Sequence, residues 1–596
     1  MPALTQHTDR IPQHAPDTPS ASRCTPHTCN RATPSPTHRQ RVRTQHADAS
    51  DSTRHTDRKA GPSRHTAARE RAKPAHTKWR GTRHTTGESA PHADGESRHP
   101  RPPAESQQGQ QTDGEPAPNT PTASRQAPSR PAPGPGPGQT PPRRFGPFHL
   151  VRVGTIFRTT FTFGVIGMTV PSFPEGFVWG VSTSAFQIEG ATAEGGRGPS
   201  VWDTFTATPG KVARGEDARV TADHYHRYAE DVALMSQLGV DAYRMSFAWP
   251  RIQPTGSGPA NAEGLAFYDR LLDAVCEAGI DPVGTLYHWD TPQALEDAGG
   301  WLSRDTAARF ADYAALVGER FADRVKMWIP LNEPMVMSIF GYGIGEYAPG
   351  RALLLDALPT AHHQLLAHGL AVSALRAAGA ASIGTANNHS PIWGEGEGEA
   401  AAFLDALINR LFADPILLGS YPEVLHGRLP DGFADDLPVI AAPLDFYGVN
   451  YYEPMAATTP TAPGPLPFEL RPVEGYPMTT NDSPVVPDAL RELLVTMHER
   501  YPGMPPVHIT ENGCSFDGIH DRERIDFLTG HLTALREAMD AGVDVRGYFF
   551  WSLIDNFEWS KGYAPRFGLV HIDYDTLART PKDSFHWYRD LIKRSR

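Results

Sequence analysis

Eight short apolar runs, each followed by a stretch with helical spacing, occupy the chain from Met168 onward. They are FVWGVSTSAF from Phe177, GVDAYRMSFAW from Gly239, IDPVGTLYHW from Ile280, VKMWIPLNEP from Val325, ASIGTANNH from Ala381, LDFYGVNYY from Leu444, PVHITENG from Pro506 and VRGYFFWSL from Val545. Parallel strands covered on both faces read as near-continuous apolar runs rather than alternating ones, and these do. Between them, Phe310, Ala314, Val317 and Phe321 recur at the interval of a helix face, as do Ile525, Leu528, Leu532, Leu535 and Met539. Gly239, Gly279 and Gly542 stand where such helices should stop. Eight strand and helix pairs over about 430 residues predict an α/β fold, a (β/α)8 TIM barrel with loop insertions.

The region ahead of Met168 has a different composition. From Met1 to Thr140 the only large apolar residues are Met1, Leu4, Ile11, Val42 and Trp79, set in Pro, Thr, Ser, Arg and His. Such a segment buries too little surface to offset an ordering entropy of roughly 1 to 2 kcal/mol per residue. Residues 1–167 are therefore expected to form a disordered extension, and residues 168–596 the barrel domain. Met168 opens MTVPSFPEGFVWG, which carries the further expectation that the biological chain starts there and that the assigned start lies too far upstream.

Charge divides at the same point. Residues 1–167 carry 24 Lys+Arg against 12 Asp+Glu, and the totals of 56 and 68 leave 32 against 56 for the remainder. The extension is thus +12 and the rest −24, which sum to the net −12. A basic tail could anchor to nucleic acid or an anionic membrane. Its Arg residues are scattered among Pro and His rather than gathered on a helix face, so no nucleic-acid or membrane partner is expected. The acidic body argues against polyanionic substrates.

Cys24, Cys29, Cys276 and Cys514 give no disulfide framework in a chain this long, and CTPHTC alone is a weak metal motif. No apolar stretch follows Met1 as a signal peptide requires. The run from Val151 to Val170 is interrupted by Arg152 and Arg158, too poor for a membrane span. RRF at Arg143 to Phe145 is similar to a twin-Arg export signal but lies far from the N-terminus. A cytoplasmic location is expected.

Catalytic groups of such barrels stand at the C-terminal ends of the strands. Those ends hold Gln187, Arg244, His288 with Trp289, Asn332 with Glu333, Asn388, Asn450 with Tyr452, Glu511, and Trp551 followed by Glu558 and Trp559. Glu333 ends the fourth strand and Glu511 the seventh, so the ring sets them across one mouth despite a separation of 178 positions (511 minus 333). Two facing carboxylates suit glycosidic bond cleavage: a protonated one serves the leaving oxygen, and an ionised one attacks the anomeric carbon or activates water. An ionised Glu511 should raise the pKa of Glu333 and so divide acid from base. Singly, each glutamate reads as well as a strand end before proline or an Asn-Gly turn. His362 and His363, with His368 nearby, lack helix spacing for a convergent ligand set, so no metal and no cofactor are expected.

From about Phe173 to Arg589 the chain resembles glycoside hydrolase family 1, the retaining β-glycosidases that include the β-glucosidases. The resemblance runs through FPEGFVWGVSTSAFQIEG, YRMSFAWPRIQP, LYHWDTPQAL, LNEP, FYGVNYY, ITENG and FFWSLIDNFEWSKGYAPRFGLVHID. It implies Glu333 as acid/base and Glu511 as nucleophile, supported by Arg244 and Tyr452. It also implies Gln187, His288, Trp289, Asn332, Asn450, Trp551, Glu558 and Trp559 around the sugar. Among these, Asn332 is to donate to the 2-hydroxyl, and the Trp551 and Trp559 faces are to stack on a ring, with plain core packing as the alternative for each. Retention requires the carboxylates roughly 5 to 5.5 Å apart.

The implied substrates are small β-glycosides or oligosaccharides with a terminal non-reducing β-D-glucosyl or related residue. Relatives that cleave 6-phosphorylated glycosides resemble the chain but carry Ser at Glu558, and Lys and Tyr at Pro565 and Phe567, so neutral sugars are expected. Thioglucosidases with Gln at the acid/base position are disfavoured by Glu333. Ser483 replaces a Trp that usually borders the leaving group, which leaves aglycone preference open, as are galactosidase or fucosidase breadth and a homo-oligomeric state. A sugar sensor on an inactive barrel is the rival, and retention of both glutamates argues against it.

Overall fold

Each apolar run becomes a strand because it is flanked by turn residues and too short for a buried helix. The computed structural model describes residues 170–394 and 398–596. The expected disorder of residues 1–167, the start at Met168 and the CTPHTC segment lie outside the described residues. The barrel strands are β1 (Val178–Ser182), β2 (Ala242–Ser246), β3 (Asp281–Tyr287), β4 (Met327–Leu331), β5 (Ala386–Asn388), β6 (Tyr447–Asn450), β7 (Val507–Gly513) and β8 (Val545–Trp551). All pair in parallel, in the order β4-β3-β2-β1-β8-β7-β6-β5. Isolated parallel bridges, Trp328 with Ile383 and Asn332 with Ala386, close the ring between β4 and β5. The architecture is the expected TIM barrel, with a fifth strand shorter than its apolar run suggested.

Eight principal helices cover the ring: α1 (His224–Leu238), α2 (Ala262–Glu277), α3 (Asp305–Phe321), α4 (Leu358–Ala377), α5 (Phe433–Ile440), α6 (Pro487–Arg500), α7 (Arg522–Asp540) and α8 (Asp583–Ser595). On α3 the stripe Phe310, Ala314, Val317 and Phe321 is fully buried, as its period required. Gly239, at φ +77°, accepts the left-handed turn that ends α1 and donates its N–H to the Met235 carbonyl. Short insertions extend the loops: a three-stranded sheet of Ile392–Gly394, Met455–Thr458 and Glu469–Arg471, and a pair of Val570–Ile572 with Arg579–Pro581.

Inside the ring, Ala242, Val283, Ile329, Ala386, Phe446 and Phe549 form a cluster apart from the larger layer between strands and helices. Gly180 on β1 leaves room for this packing, since a Cβ there would lie 2.2 Å from Cδ1 of Phe549. Gly180→Val is expected to destabilise the fold by about 3 kcal/mol, the upper part of the usual overpacking range. A lowered midpoint of chemical unfolding would show it, and an unchanged midpoint would contradict the packing argument.

His362, His363 and His368 lie buried on α4, where His362 bonds to Tyr421 and Asp436 at 2.9 Å each. No group of three or more His, Cys, Asp or Glu suited to a metal occurs among the described residues. Among those residues no helix is long and apolar enough to cross a membrane.

Candidate active site

The chain leaves β4 at Asn332 and turns sharply through Glu333, whose backbone is left-handed at φ +45°. Its N–H donates to the Ala386 carbonyl at 2.8 Å, and Pro334 then opens a helical turn, Pro334–Val336. A non-glycine residue held in this region is strained and needs surrounding contacts to keep it there. The Glu333 side chain is 4 % exposed, and its Oε1 accepts from Asn450 Nδ2 at 2.8 Å. Burial pushes its pKa well above the usual carboxylate range. The charge of Glu511 adds to that rise, while the Asn450 bond and Arg244 oppose it. The expected effect of Glu511 is thus present but comes second to burial.

Glu511 lies in β7, and that strand is bulged there. Against β6 the register jumps between Ile509 and Glu511, and against β8 between Ile509 and Asn512. Regular strands send successive side chains to opposite faces, and a bulge re-aims them. Here the bulge lets neighbours Thr510 and Glu511 both reach the site. Arg244, from β2, donates through Nη1 to Glu511 Oε1, and Tyr452 donates through its hydroxyl to Oε2 at 2.7 Å. Both oxygens of this carboxylate act as acceptors, one of them in a charge-assisted bond.

The two carboxylates are joined by one polar network. Arg244 Nη2 donates to Asn332 Oδ1 at 2.6 Å, and Asn450 Nδ2 donates to the same oxygen at 3.0 Å as well as to Glu333. Asn332 Nδ2 lies 3.1 Å from His288 Nε2. Burial first, and Arg244 second, hold the His288 pKa well below its ordinary value, so the ring is neutral and Nε2 takes the amide hydrogen. His288 Nδ1, which then carries the ring proton, has no partner among the described residues. One amide hydrogen of Asn332 remains unspent.

Glu558 follows β8 and lies 3.4 Å from Gln187 Nε2, which also donates to Asn556 Oδ1 at 2.9 Å and to the Phe557 carbonyl at 3.0 Å. Burial raises the Glu558 pKa to about 8, against the pull of Lys561. Trp551 stacks on the His288 ring, with centroids 5.7 Å apart. Trp289 donates from Nε1 to the Asn332 carbonyl at 2.9 Å. Trp559 packs at 4.6 Å from both Trp202 and Trp289 and lies parallel to Phe186 at 6.0 Å. It is 3 % exposed, so core packing occupies much of the surface expected to stack on a sugar. Trp289 and Trp559 share the left-handed backbone of Glu333, at φ +73° and +50°.

The structure thus gathers all twelve expected residues at the C-terminal rim. Asn388 also ends its strand there, but its side chain makes no hydrogen bond among the described residues. Sequence reasoning missed Thr510, Asn556, Trp202 and Tyr347. Thr510 stands one residue before Glu511, where strand alternation would turn it away. Trp202 lies on a short helix, Val201–Thr206, whose signal is the Ser200 and Asp203 capping pair, and Tyr347, with its ring centroid 6.0 Å from that of Trp289, lies on a loop whose only signal was aromatic content.

The sequence matches the description "Glycosyl hydrolase family 1" over residues 169–596. It is 48% identical over 443 residues to a thermostable β-glucosidase B of Thermobispora bispora, covering 71% of this chain and 91% of the relative. It is 44% identical to a bifunctional β-D-glucosidase/β-D-fucosidase of Bifidobacterium breve, covering 70% and 98%. The β-glucosidase of Thermotoga maritima in complex with deoxynojirimycin superposes with a TM-score of 0.69 at 41% identity, over 71% of this chain and 99% of that one.

Proposed function

Because the chain belongs to glycosyl hydrolase family 1, we propose that Glu511 is the nucleophile and Glu333 the acid/base of a retaining β-glucosidase. The observation that carries the assignment is the unequal surroundings of the two carboxylates. Glu511 takes donors on both oxygens, from Arg244 and Tyr452, whereas Glu333 takes one and is buried enough to favour its neutral form.

In the first step an ionised Glu511 attacks the anomeric carbon while Glu333 gives its proton to the glycosidic oxygen. The aglycone leaves, and a covalent glycosyl-enzyme remains on Glu511. Glu333, now ionised, takes a proton from water as that water attacks the same carbon, and sugar is released with its β configuration kept. The free Asn332 amide hydrogen donates to the 2-hydroxyl, a contact that strengthens as charge develops on the ring. The orphaned Nδ1–H of His288 is satisfied by another sugar hydroxyl. Gln187 and Glu558 hold hydroxyls further round the ring.

Substrates are neutral small β-glycosides or oligosaccharides with a terminal β-D-glucosyl residue. The bifunctional relative from Bifidobacterium breve extends the range to β-D-fucosides. A 6-phosphate is disfavoured by the Glu511 carboxylate and by Glu558, which would have to stay protonated beside it. The enzyme works in the cytoplasm.

Proton NMR of a β-glucoside hydrolysate should show the β anomer of glucose first, and early α anomer would overturn the retaining assignment. The pH profile gives a second check. The acid form of Glu333 is lost as pH rises through its raised pKa, so kcat/KM should fall on the alkaline side at a pH well above the ordinary glutamate value. A Glu333→Gln variant should lose that limb.

A further inference from the structure

We infer that Thr510 is a positioning residue for the acid/base: its hydroxyl fixes the Asn450 amide so that the amide donates to Glu333 Oε1 and leaves Oε2 to carry the catalytic proton. The inference rests on Glu333 being the acid.

The polarity of the network can be traced from one end to the other. Arg244 has only donors, so its bond to Asn332 makes the atom it meets an acceptor, Oδ1. Asn450 approaches that same oxygen and therefore presents Nδ2, the atom that also reaches Glu333 Oε1 at 2.8 Å. The other end of the Asn450 amide, Oδ1, then needs a donor, and Thr510 Oγ1 supplies it at 2.6 Å. Asn450 is fully buried and Thr510 is 1 % exposed, so water does not stand in for this bond.

Thr510 is itself held at both ends. Its carbonyl accepts from Arg244 Nη1 at 3.3 Å and from Ser182 Oγ at 3.0 Å. Its side chain lies over Gly448 on β6, where a Cβ would stand 2.8 Å from Cγ2 and 2.9 Å from Oγ1. A bulge, a glycine and the nucleophile's own arginine thus converge on a residue whose hydroxyl bonds to Asn450 and not to either glutamate.

Replacing the hydroxyl by a methyl group leaves Asn450 Oδ1 buried without a donor. The amide relieves this by turning away from Thr510, which withdraws Nδ2 from Glu333. An Oδ1 facing Glu333 is satisfied only by a proton on Oε1, the wrong oxygen for the leaving group. Two consequences follow. Protonation is misdirected, which matters only when the leaving group needs it. The bond that favours ionised Glu333 is also lost, so the alkaline limb moves to higher pH.

The test compares Thr510→Val, Thr510→Ser and Glu333→Gln on an alkyl β-glucoside and on 2,4-dinitrophenyl β-glucoside. The readouts are the ratio of the two kcat/KM values and the midpoint of the alkaline limb, neither of which depends on the fraction of enzyme that folds. Thr510→Val should lower the alkyl-to-dinitrophenyl ratio about tenfold, the worth of one buried hydrogen bond, and shift the limb upward. Thr510→Ser should restore both to within about twofold. An unchanged ratio and limb in Thr510→Val, or equal losses in Thr510→Ser, would overturn the inference while Glu333→Gln still shows strong leaving-group dependence. A Glu333→Gln variant without that dependence would overturn the acid/base reading and the inference with it.

Discussion

Glu511→Gly is expected to lower kcat by about ten-thousand-fold or more on every β-glycoside, since a lost nucleophile removes the step on which the later ones depend. The size of the effect follows from the network. Arg244 and Tyr452 both aim donors at this one carboxylate, and neither can form the covalent intermediate itself. The variant leaves a hole beside Arg244 that fits a small anion. Added azide should therefore restore turnover of an activated glycoside and yield the α-glycosyl azide, because attack comes from the vacated face. Substantial azide-independent activity in the purified variant would overturn the assignment, and a β-azide product would place Glu511 on the other side of the sugar.

Glu333→Gln is expected to give the second largest effect, and one that depends on the substrate. General acid assistance contributes about 10²- to 10⁴-fold, so kcat/KM for an alkyl β-glucoside should fall by that amount. A dinitrophenolate departs without a proton, and its glycoside should lose less than about tenfold in kcat/KM, a constant that reports the first irreversible step. Gln keeps an oxygen for Asn450 Nδ2, so the surrounding network survives the substitution. Equal losses on both substrates would mean that Glu333 acts through structure rather than through its proton.

The barrel was legible because its signals are local. The stripe on α3 and the left-handed glycine after α1 each follow from a few adjacent residues. The strand ends were legible for the same reason, and with them Glu333 and Glu511. The fifth strand was the weakest reading. Its apolar run from Ala381 forms regular pairing only over Ala386–Asn388, and single bridges to β4 complete the ring. Trp559 shows a different limit: a tryptophan in the loop after a strand reads alike whether its faces meet a ligand or Trp202 and Trp289.

By itself the sequence determined the fold class and the placing of Glu333 and Glu511 on one rim of the barrel, since periodicity, turn residues and motifs are properties of neighbouring positions. Only the tertiary structure decided how the pair is differentiated. Burial of Glu333 outweighs the charge of Glu511, a bulge turns Thr510 toward Asn450, and the direction of every bond is set by a donor-only arginine. These facts depend on residues such as Arg244 and Glu511, 267 positions apart, meeting in a buried space. Desolvation and hydrogen-bond polarity arise there, and neither is written in any one segment of the chain.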